Sequence, residues 1–417
     1  MSRFEWLEGR LAGLQSEGLL RQPSDARLGG EVMAVAAARR MPFVDASSND
    51  YLGYGRLCDG VTSRCSEDQP RCGADVARET VSGRTEWRQS LRAGATGGGA
   101  SRLLGGTCAE HVELEELLAN WVQQDCALLF SSGYAANLGL LSSLASPGDV
   151  IFSDELNHAS IIDGCRLSRA EVKIFPHRDA DALRRLLAET PPGGQKLIVT
   201  ESYFSMDADT PDLRRLRDIA DAYQAVLIVD EAHALGVFGR SGAGLAILHG
   251  VRPDIVVGTL GKSVGLQGAF VASAGVVKTW LWNRARSFVY STASTPTLAA
   301  QAVCHVKRVQ ADEAGRDLLL KRSAQLRDTA TTAGLRVVPA SHGPIVPVLM
   351  GSPRVAIAAA DLLRDNGILA YPLRPPTVPL GTSRLRLTVS AGTSETGFEH
   401  LLRVVASELP RLAGSKD

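Results

Sequence analysis

Apolar residues recur with two different periods along this chain. Near the N-terminus, Phe4, Leu7, Leu11 and Leu14 fall at helical spacing, so residues 2–20 predict an amphipathic helix. The stretch "MPFVDASSNDYLG" reads as a short strand running into a polar turn. Residues 56–92 are polar, carry scattered charges and cysteines, and show no period. From Gly94 the pattern sharpens. "GATGGGASRLLGG" is a glycine-rich loop, and "AEHVELEELLANWV" is a helix with Val112, Leu114, Leu117, Leu118 and Trp121 on its apolar side. "CALLF" is a strand that runs into "SSGYAANLGLLSSL", a serine and glycine turn opening a helix.

Short apolar strands and helices then alternate. The strands are "DVIFS", "VKIFP", "KLIVTES", "AVLIVD" and "DIVVGTL"; the helices lie near 158–168, 180–189 and 211–223. Continuous apolar strands separated by helices predict an α/β fold with a mainly parallel sheet covered on both faces. Ligands of such sheets sit beyond the carboxyl ends of the strands. After about residue 297 a helical stretch runs to about 334, and "GLRVVPA", "PIVPVLM", "ILAYPL" and "RLRLTVS" alternate with helices near 354–366 and 394–408. That reads as a smaller α+β domain. The expected division is residues 1–45 as an N-terminal helix and strand, 46–296 as a large domain, and 297–417 as a small one.

Composition narrows the function classes. The 417 residues are 45% hydrophobic, with 45 basic and 45 acidic side chains, which suits an ordinary globular protein. A balanced charge disfavours a nucleic-acid surface, which needs a basic excess to displace counterions. No apolar run is long enough to span a membrane, and the N-terminus lacks the apolar core of a signal peptide. Seven scattered cysteines suggest reduced thiols and a cytoplasmic protein. Cys58, Cys65 and Cys72 are evenly spaced but form no C-x-x-C pair, so a metal site is not expected there.

"LIVDEAHALG", Leu227 to Gly236, resembles the magnesium-binding strand of a nucleotide-driven motor, and "GTLGKS" offers a lysine. That reading fails on three points. The first P-loop glycine is replaced by Val256, the lysine follows Asp230 in the chain rather than preceding it, and the basic excess is missing. Another chemistry uses the same residues. A lysine amine forms a Schiff base with an aldehyde such as pyridoxal phosphate. The ring nitrogen of that cofactor needs a carboxylate partner if the ring is to take up electrons, and Asp230 ends a buried strand. Ser205 and His233 are candidate donors to the ring hydroxyl, and His158 is a candidate to stack on the ring. Gly133 and Tyr134 open a helix whose N-terminus suits a phosphate, with the Thr259 hydroxyl to help. Taken singly, each residue has a plain reading. Lys262 would be a solvated turn lysine, the histidines satisfied polar groups, Asp230 a helix cap, and Ser205 and Thr259 ordinary turn residues. Together, five segments carry the right groups in a workable order.

Seven stretches together are specific: "SSNDYLG", "GGGASRLLGG", "LFSSGYAANLG", "DELNHASIIDG", "ESYFSMDAD", "VDEAHALGVFG" and "GTLGKSVGLQGAF". Over nearly its whole length the chain resembles the α-oxoamine synthases, pyridoxal-phosphate enzymes of fold type I, the aspartate-aminotransferase fold. The resemblance implies a homodimer with its active site at the subunit interface. It makes Lys262 the Schiff-base lysine, Asp230 the partner of the ring nitrogen, and His158 the stacking residue. Ser205 and His233 would meet the phenolic oxygen, and Gly133, Tyr134 and Thr259 would hold other cofactor groups. Asn49 and Arg386 match positions that hold the amino-acid carboxylate; alone, Arg386 reads as a sheet-face charge. "LRPPTVPLGTSRLRLTVSA" resembles the members that condense L-alanine with pimeloyl-CoA, or a pimeloyl carrier protein, for biotin synthesis. On that likeness Thr377 and Arg21 would contact substrate, although "RPPTVP" also reads as a rigid turn and Arg21 aligns only through "GLLRQ". Two readings stay open beside it: a member using glycine and acetyl-CoA, and a non-catalytic subunit of a heteromeric synthase. The polar 56–92 segment and "KSVGLQG" depart from the family pattern, outside the core cofactor set, and either could alter acyl-chain selection.

Overall fold

The computed structural model describes residues 12–17, 28–55 and 97–413. Residues 12–16 are helical and Glu17 ends them in a turn; residues 2–11 and 18–20 of the helix expected over 2–20, Arg21, and the 56–92 segment with Cys58, Cys65 and Cys72 lie outside the described residues. The described residues divide into two compact units. One comprises those within 1–51, 205–209 and 317–417, the other those within 52–204 and 210–316.

α1 (Leu28–Ala38) and β1 (Val44–Asp45) open the described chain in the smaller unit. The larger unit then runs through α2 (Ala109–Trp121), β2 (Cys126–Phe130), α3 (Gly133–Leu144), β3 (Val150–Asp154), α4 (Ala159–Ser168), β4 (Glu171–Phe175) and α5 (Ala180–Ala188). It continues with β5 (Lys196–Glu201), α6 (Leu213–Ala222), β6 (Val226–Asp230), β7 (Ile255–Thr259), β8 (Ala269–Ser273), α7 (Gly275–Arg284) and α8 (Pro296–Ala311). The seven strands form one sheet in the order β2-β8-β7-β6-β5-β3-β4. β8 runs antiparallel to both neighbours, and every other pair is parallel. β3, β7 and β8 are buried along their whole length, as their unbroken apolar runs require when helices cover both faces.

Leu128, Leu140, Ile151, Ile161, Val199 and Val257 meet in a core between the sheet and its helices. Full burial of each such side chain is worth about 1.5–3 kcal/mol. Polar residues at the strand exits start the helices. Ser132, His158, Asp179 and Asp212 each accept a backbone N–H in the first turn of α3, α4, α5 and α6. The N-termini of these helices therefore follow the carboxyl ends of the strands. α3 and α4 pack closely because Gly164 has no side chain. A Cβ there would stand 2.9 Å from the carbonyl oxygen of Asn137 and 3.0 Å from Cβ of Leu141.

Glu115 ties down the glycine-rich loop. Its carboxylate meets Arg102 of "SRLLGG" at 2.9 Å, Lys278 of α7 at 2.9 Å and the backbone N–H of Leu129 at 3.0 Å. Two differences from the sequence pattern have physical causes. The helical stretch expected over 297–334 is two helices, α8 and α9 (Glu313–Thr332). Asp312 breaks it, because its carboxylate accepts the Gly315 N–H at 2.9 Å and the hydroxyl of Tyr54. α8, grouped with the C-terminal part in the sequence, packs on α2 and so clusters with the larger unit.

In the smaller unit, α9 is followed by β9 (Ile345–Gly351), α10 (Pro353–Asp365), β10 (Ile368–Leu369), β11 (Pro372–Leu373), β12 (Ser383–Thr388) and α11 (Glu395–Ser407). β11, β12 and β9 make an antiparallel sheet, and β1 pairs with β10 in parallel. Arg384 of β12 holds the 205–209 segment to this unit through Asp207, at 2.7 Å. Among the described residues no helix is long and apolar enough to cross a membrane, and no His, Cys, Asp and Glu cluster could hold a metal ion.

Gly164→Ala should push α4 off α3 and lower stability by about 1–3 kcal/mol. The urea unfolding midpoint measures this, and an unchanged midpoint would show that the helices can part at no cost.

Candidate active site

The sheet delivers three carboxylates to its carboxyl edge. Asp154 ends β3, Glu201 ends β5 and Asp230 ends β6, and Glu201 sits directly opposite Asp230 in the strand pairing. All three are buried. Asp230 is satisfied by two donors. Asn137 Nδ2 reaches its Oδ2 at 2.8 Å, and the Ala232 N–H reaches its Oδ1 at 2.8 Å. Asn137 lies one helical turn into α3 and also donates to Ser160 Oγ at 3.0 Å. Ser160 Oγ is 2.7 Å from His158 Nδ1, and the Ser160 N–H meets the same ring nitrogen at 3.2 Å. The His158 N–H in turn donates to Glu201 Oε1 at 2.7 Å. Neither Asn137, Ser160 nor Glu201 was singled out from the sequence. The signal available was position: "SGYAANLG" and "NHAS" each place a polar residue at the start of a helix, and "TES" places one at the end of a strand.

Lys262 lies half-buried in the turn between β7 and β8, and its charge acts on both His158 and Glu201. Desolvation holds the His158 pKa below its ordinary value; Lys262 pushes the same way and Asp230 opposes it. Burial, helped by the facing Asp230 and more weakly by Asp154, raises the Glu201 carboxyl to about 8 against the pull of Lys262 and the His158 N–H.

Gly133 and Thr259 converge from different elements. A Cβ on Gly133 would lie 4.0 Å from the Thr259 hydroxyl oxygen. Thr259 Oγ1 donates to the Gly268 carbonyl at 3.1 Å and accepts the Gly261 N–H at 3.1 Å. The N-terminus of α3, with Ser132 as its cap, thus opens beside a hydroxyl, a good setting for an anion. Tyr134 is exposed and donates its hydroxyl to Asp163. His233 is buried in the turn after β6.

The remaining candidates belong to the smaller unit. Ser205 sits in the turn after β5 and clusters there. Arg386 of β12 donates through Nη2 to Asn49 Oδ1, which also accepts the Tyr51 hydroxyl at 3.4 Å. Burial pushes the Tyr51 hydroxyl up to about 12 against the pull of Arg386, so the tyrosine stays neutral. Arg386 Nε is buried without a hydrogen-bond partner. An unpaired guanidinium donor beside an asparagine suits a carboxylate. Thr377 lies in an exposed turn, its N–H bonded to the Arg374 carbonyl at 3.0 Å. Arg21 lies outside the described residues.

Residues 83–405 match the family model for aminotransferase class I and II. The chain belongs to the class I and II aminotransferases. Within that family, an 8-amino-7-oxononanoate synthase from Anaeromyxobacter dehalogenans is 40% identical over 413 residues, which cover 98% of this chain and 96% of that protein. The solved Sphingomonas wittichii serine palmitoyltransferase superposes with a TM-score of 0.83 at 28% identity, over 99% of this chain and 98% of that one. A high-resolution structure of SPT with PLP gives a TM-score of 0.80 at 28% identity, over 89% of this chain and 88% of that one. These class I and II aminotransferase relatives place the chain in the α-oxoamine synthase branch. The fold they share is the fold type I expected from the motifs.

A carboxyl held neutral by burial makes the folded state bind a proton that the unfolded chain releases. Below about pH 4.5 both states are protonated at Glu201. Between about 4.5 and about 8 only the folded state keeps the proton, so this carboxyl makes stability fall as pH rises. Above about 8 the slope ends. Glu201→Gln should remove that fall, so urea midpoints of the variant and the parent should diverge across this window. Parallel curves would show that Glu201 is ionised in the folded protein.

Proposed function

We propose that this protein condenses L-alanine with a pimeloyl thioester, pimeloyl-CoA or its carrier-protein equivalent, to give 8-amino-7-oxononanoate, carbon dioxide and the free thiol. The observation that carries this reading is 40% identity to an 8-amino-7-oxononanoate synthase across 98% of the chain. Identity to the superposed serine palmitoyltransferase is lower, 28%, which favours the first substrate pair. The cofactor is pyridoxal phosphate, and the donor set suits it. Asp230, held by Asn137, would pair with the ring nitrogen. The α3 N-terminus at Gly133 and Tyr134, with Thr259, would hold the phosphate, while Ser205 and His233 would meet the phenolic oxygen. His158 would lie on the ring. When bound, the cofactor supplies an electron sink for charge developing at the amino-acid Cα.

The chain's own groups do the rest. The Lys262 amine is the residue that would anchor the cofactor and then take the alanine Cα proton. Arg386 and Asn49 would hold the alanine carboxylate, the buried Arg386 Nε gaining the acceptor it lacks. The Cα then bonds to the thioester carbonyl carbon, the C–S bond breaks, and the thiol leaves. Loss of the carboxylate as carbon dioxide follows, and a proton returns to Cα. Thr377 and Arg21 are proposed substrate contacts, on the strength of the "RPPTVP" and "GLLRQ" likenesses. A homodimer is proposed from the family, and a cytoplasmic location from the thiol content.

Purified, cofactor-loaded protein should release thiol with L-alanine and pimeloyl-CoA and form a product of the expected mass. Release only with glycine and acetyl-CoA would replace the substrate reading and leave the cofactor site standing. Lys262→Ala should lower turnover by at least ~1,000-fold, because general base and covalent anchor are lost together. Arg386→Lys should raise the KM for alanine by about 10- to 100-fold, equivalent to the loss of about 1.4–3 kcal/mol of charge-assisted binding.

A further inference from the structure

We infer that Ser160 and Asn137 are positioning residues that hold His158 as its neutral Nε2–H tautomer, so that His158 serves as a hydrogen-bond donor from Nε2 and not as a base. The tautomer follows from this chain's hydrogen bonds alone; the role in turnover rests on the proposed reaction.

A backbone N–H can only donate. The Ser160 N–H points at His158 Nδ1 at 3.2 Å, where His158 caps α4 with its own ring. Nδ1 must therefore be an unprotonated acceptor. The Ser160 hydroxyl, 2.7 Å from the same nitrogen, is directed the same way. Its oxygen already accepts from Asn137 Nδ2, which leaves its hydrogen for Nδ1. The other Nδ2 hydrogen goes to Asp230. Turning the amide over would set Asn137 Oδ1 against the Asp230 carboxylate, so the amide has one orientation. It keeps that orientation although Asn137 Oδ1 is left buried without a partner. Asn137 thus donates to Asp230 on one side and to Ser160 on the other, Ser160 donates on to His158 Nδ1, and the ring proton must sit on Nε2.

Protonating Nδ1 would break the helix cap and turn both Ser160 donors against a cation. The charged and titratable groups facing His158 are Asp230 at the end of β6, Lys262 in the β7–β8 turn, and Glu201 at the end of β5. Desolvation and Lys262 outweigh Asp230, so the neutral ring is favoured. Glu201 fixes the backbone of His158 through its N–H at 2.7 Å, which sets where the ring starts. An imidazole whose Nε2 carries the proton can donate and orient but cannot take a proton there. The base is left to Lys262.

The test uses holoenzyme labelled with ring-15N histidine and a long-range 1H–15N correlation. The chain has eight histidines, and His158→Gln identifies the wanted signals by their loss. His158 should show a protonated-type Nε2 and an unprotonated-type Nδ1 across about pH 6 to 8, with no titration in that range. Ser160→Ala should move both signals towards a tautomer average and lower kcat about 10-fold, with the KM for the amino acid little changed. Ser160→Thr, which keeps the hydroxyl, should restore both readouts. Asn137→Leu should move the same two signals in the direction of Ser160→Ala. A protonated Nδ1 in the holoenzyme would overturn the inference, and so would a Ser160→Ala variant with parental ring signals and parental kcat. The ring signals do not depend on which acyl donor turns over. If the proposed reaction fails, the tautomer pattern remains; if the inference fails, it fails with the reaction intact.

Discussion

Three carboxylates at the ends of adjacent parallel strands cannot all be treated alike. Neighbouring strands lie about 5 Å apart, so charges at their ends repel across a poorly solvated edge. The fold answers with unequal numbers of donors. Asp154 receives the N–H groups of Leu156 and Arg178 and the His177 ring. Asp230 receives Asn137 and Ala232. Among the described residues Glu201, between them, receives the His158 N–H alone, and burial with the facing Asp230 pushes its carboxyl up. The arrangement of α3 and α4 follows from this. α3 must bring Asn137 to Asp230, and α4 must begin where His158 can reach Glu201. Gly164 is the residue that lets both helices stay in place.

Much of this architecture was legible in the residues. The strands β2, β3, β5, β6 and β7 are short apolar runs bounded by polar residues, and their burial under helices on both faces explains that pattern; β4, at the sheet edge, is mostly exposed. β8 was not legible as a strand. "AFVAS" is small and mixed, and it follows a glycine-rich turn that looks like more loop. The break at Asp312 was also hidden, because nothing in the helical period around it changes; only its bonds to Gly315 and Tyr54 show why the helix stops. In the site, Asp230, His158, Lys262, Gly133 and Thr259 could be named because each is a chemically obvious group beside a strand end. Asn137, Ser160 and Glu201 could not, since they act on other residues of the chain and carry no signature of their own.

The smaller unit poses a different question. Its Arg386 keeps one buried donor without a partner, which costs about 1–3 kcal/mol for an ordinary polar group and more for a charged one. Asn49 occupies Nη2 of the guanidinium and leaves Nε as the donor open to an incoming anion. Asn49 Oδ1 is committed to Arg386 and to the tyrosine, and Tyr51 is fully buried and neutral. On the proposed reaction, this pair would meet the carboxylate that every amino acid carries, so discrimination between alanine, glycine and serine would fall to groups that meet the side chain or the acyl donor.

The position of β8 has a consequence for how the chain folds. β2 is made early and β8 more than a hundred residues later, yet β8 lies between β2 and β7 in the sheet. Among the described strands β2 has no other hydrogen-bonding neighbour. Glu115, next to it, waits for Lys278, which is made later still. During synthesis, then, the early edge strand emerges with its backbone unpaired, and a buried acid lacks one of its cations. A ribosome-bound fragment ending before β8 would present an open strand edge, the kind of surface on which chaperones and aggregation compete.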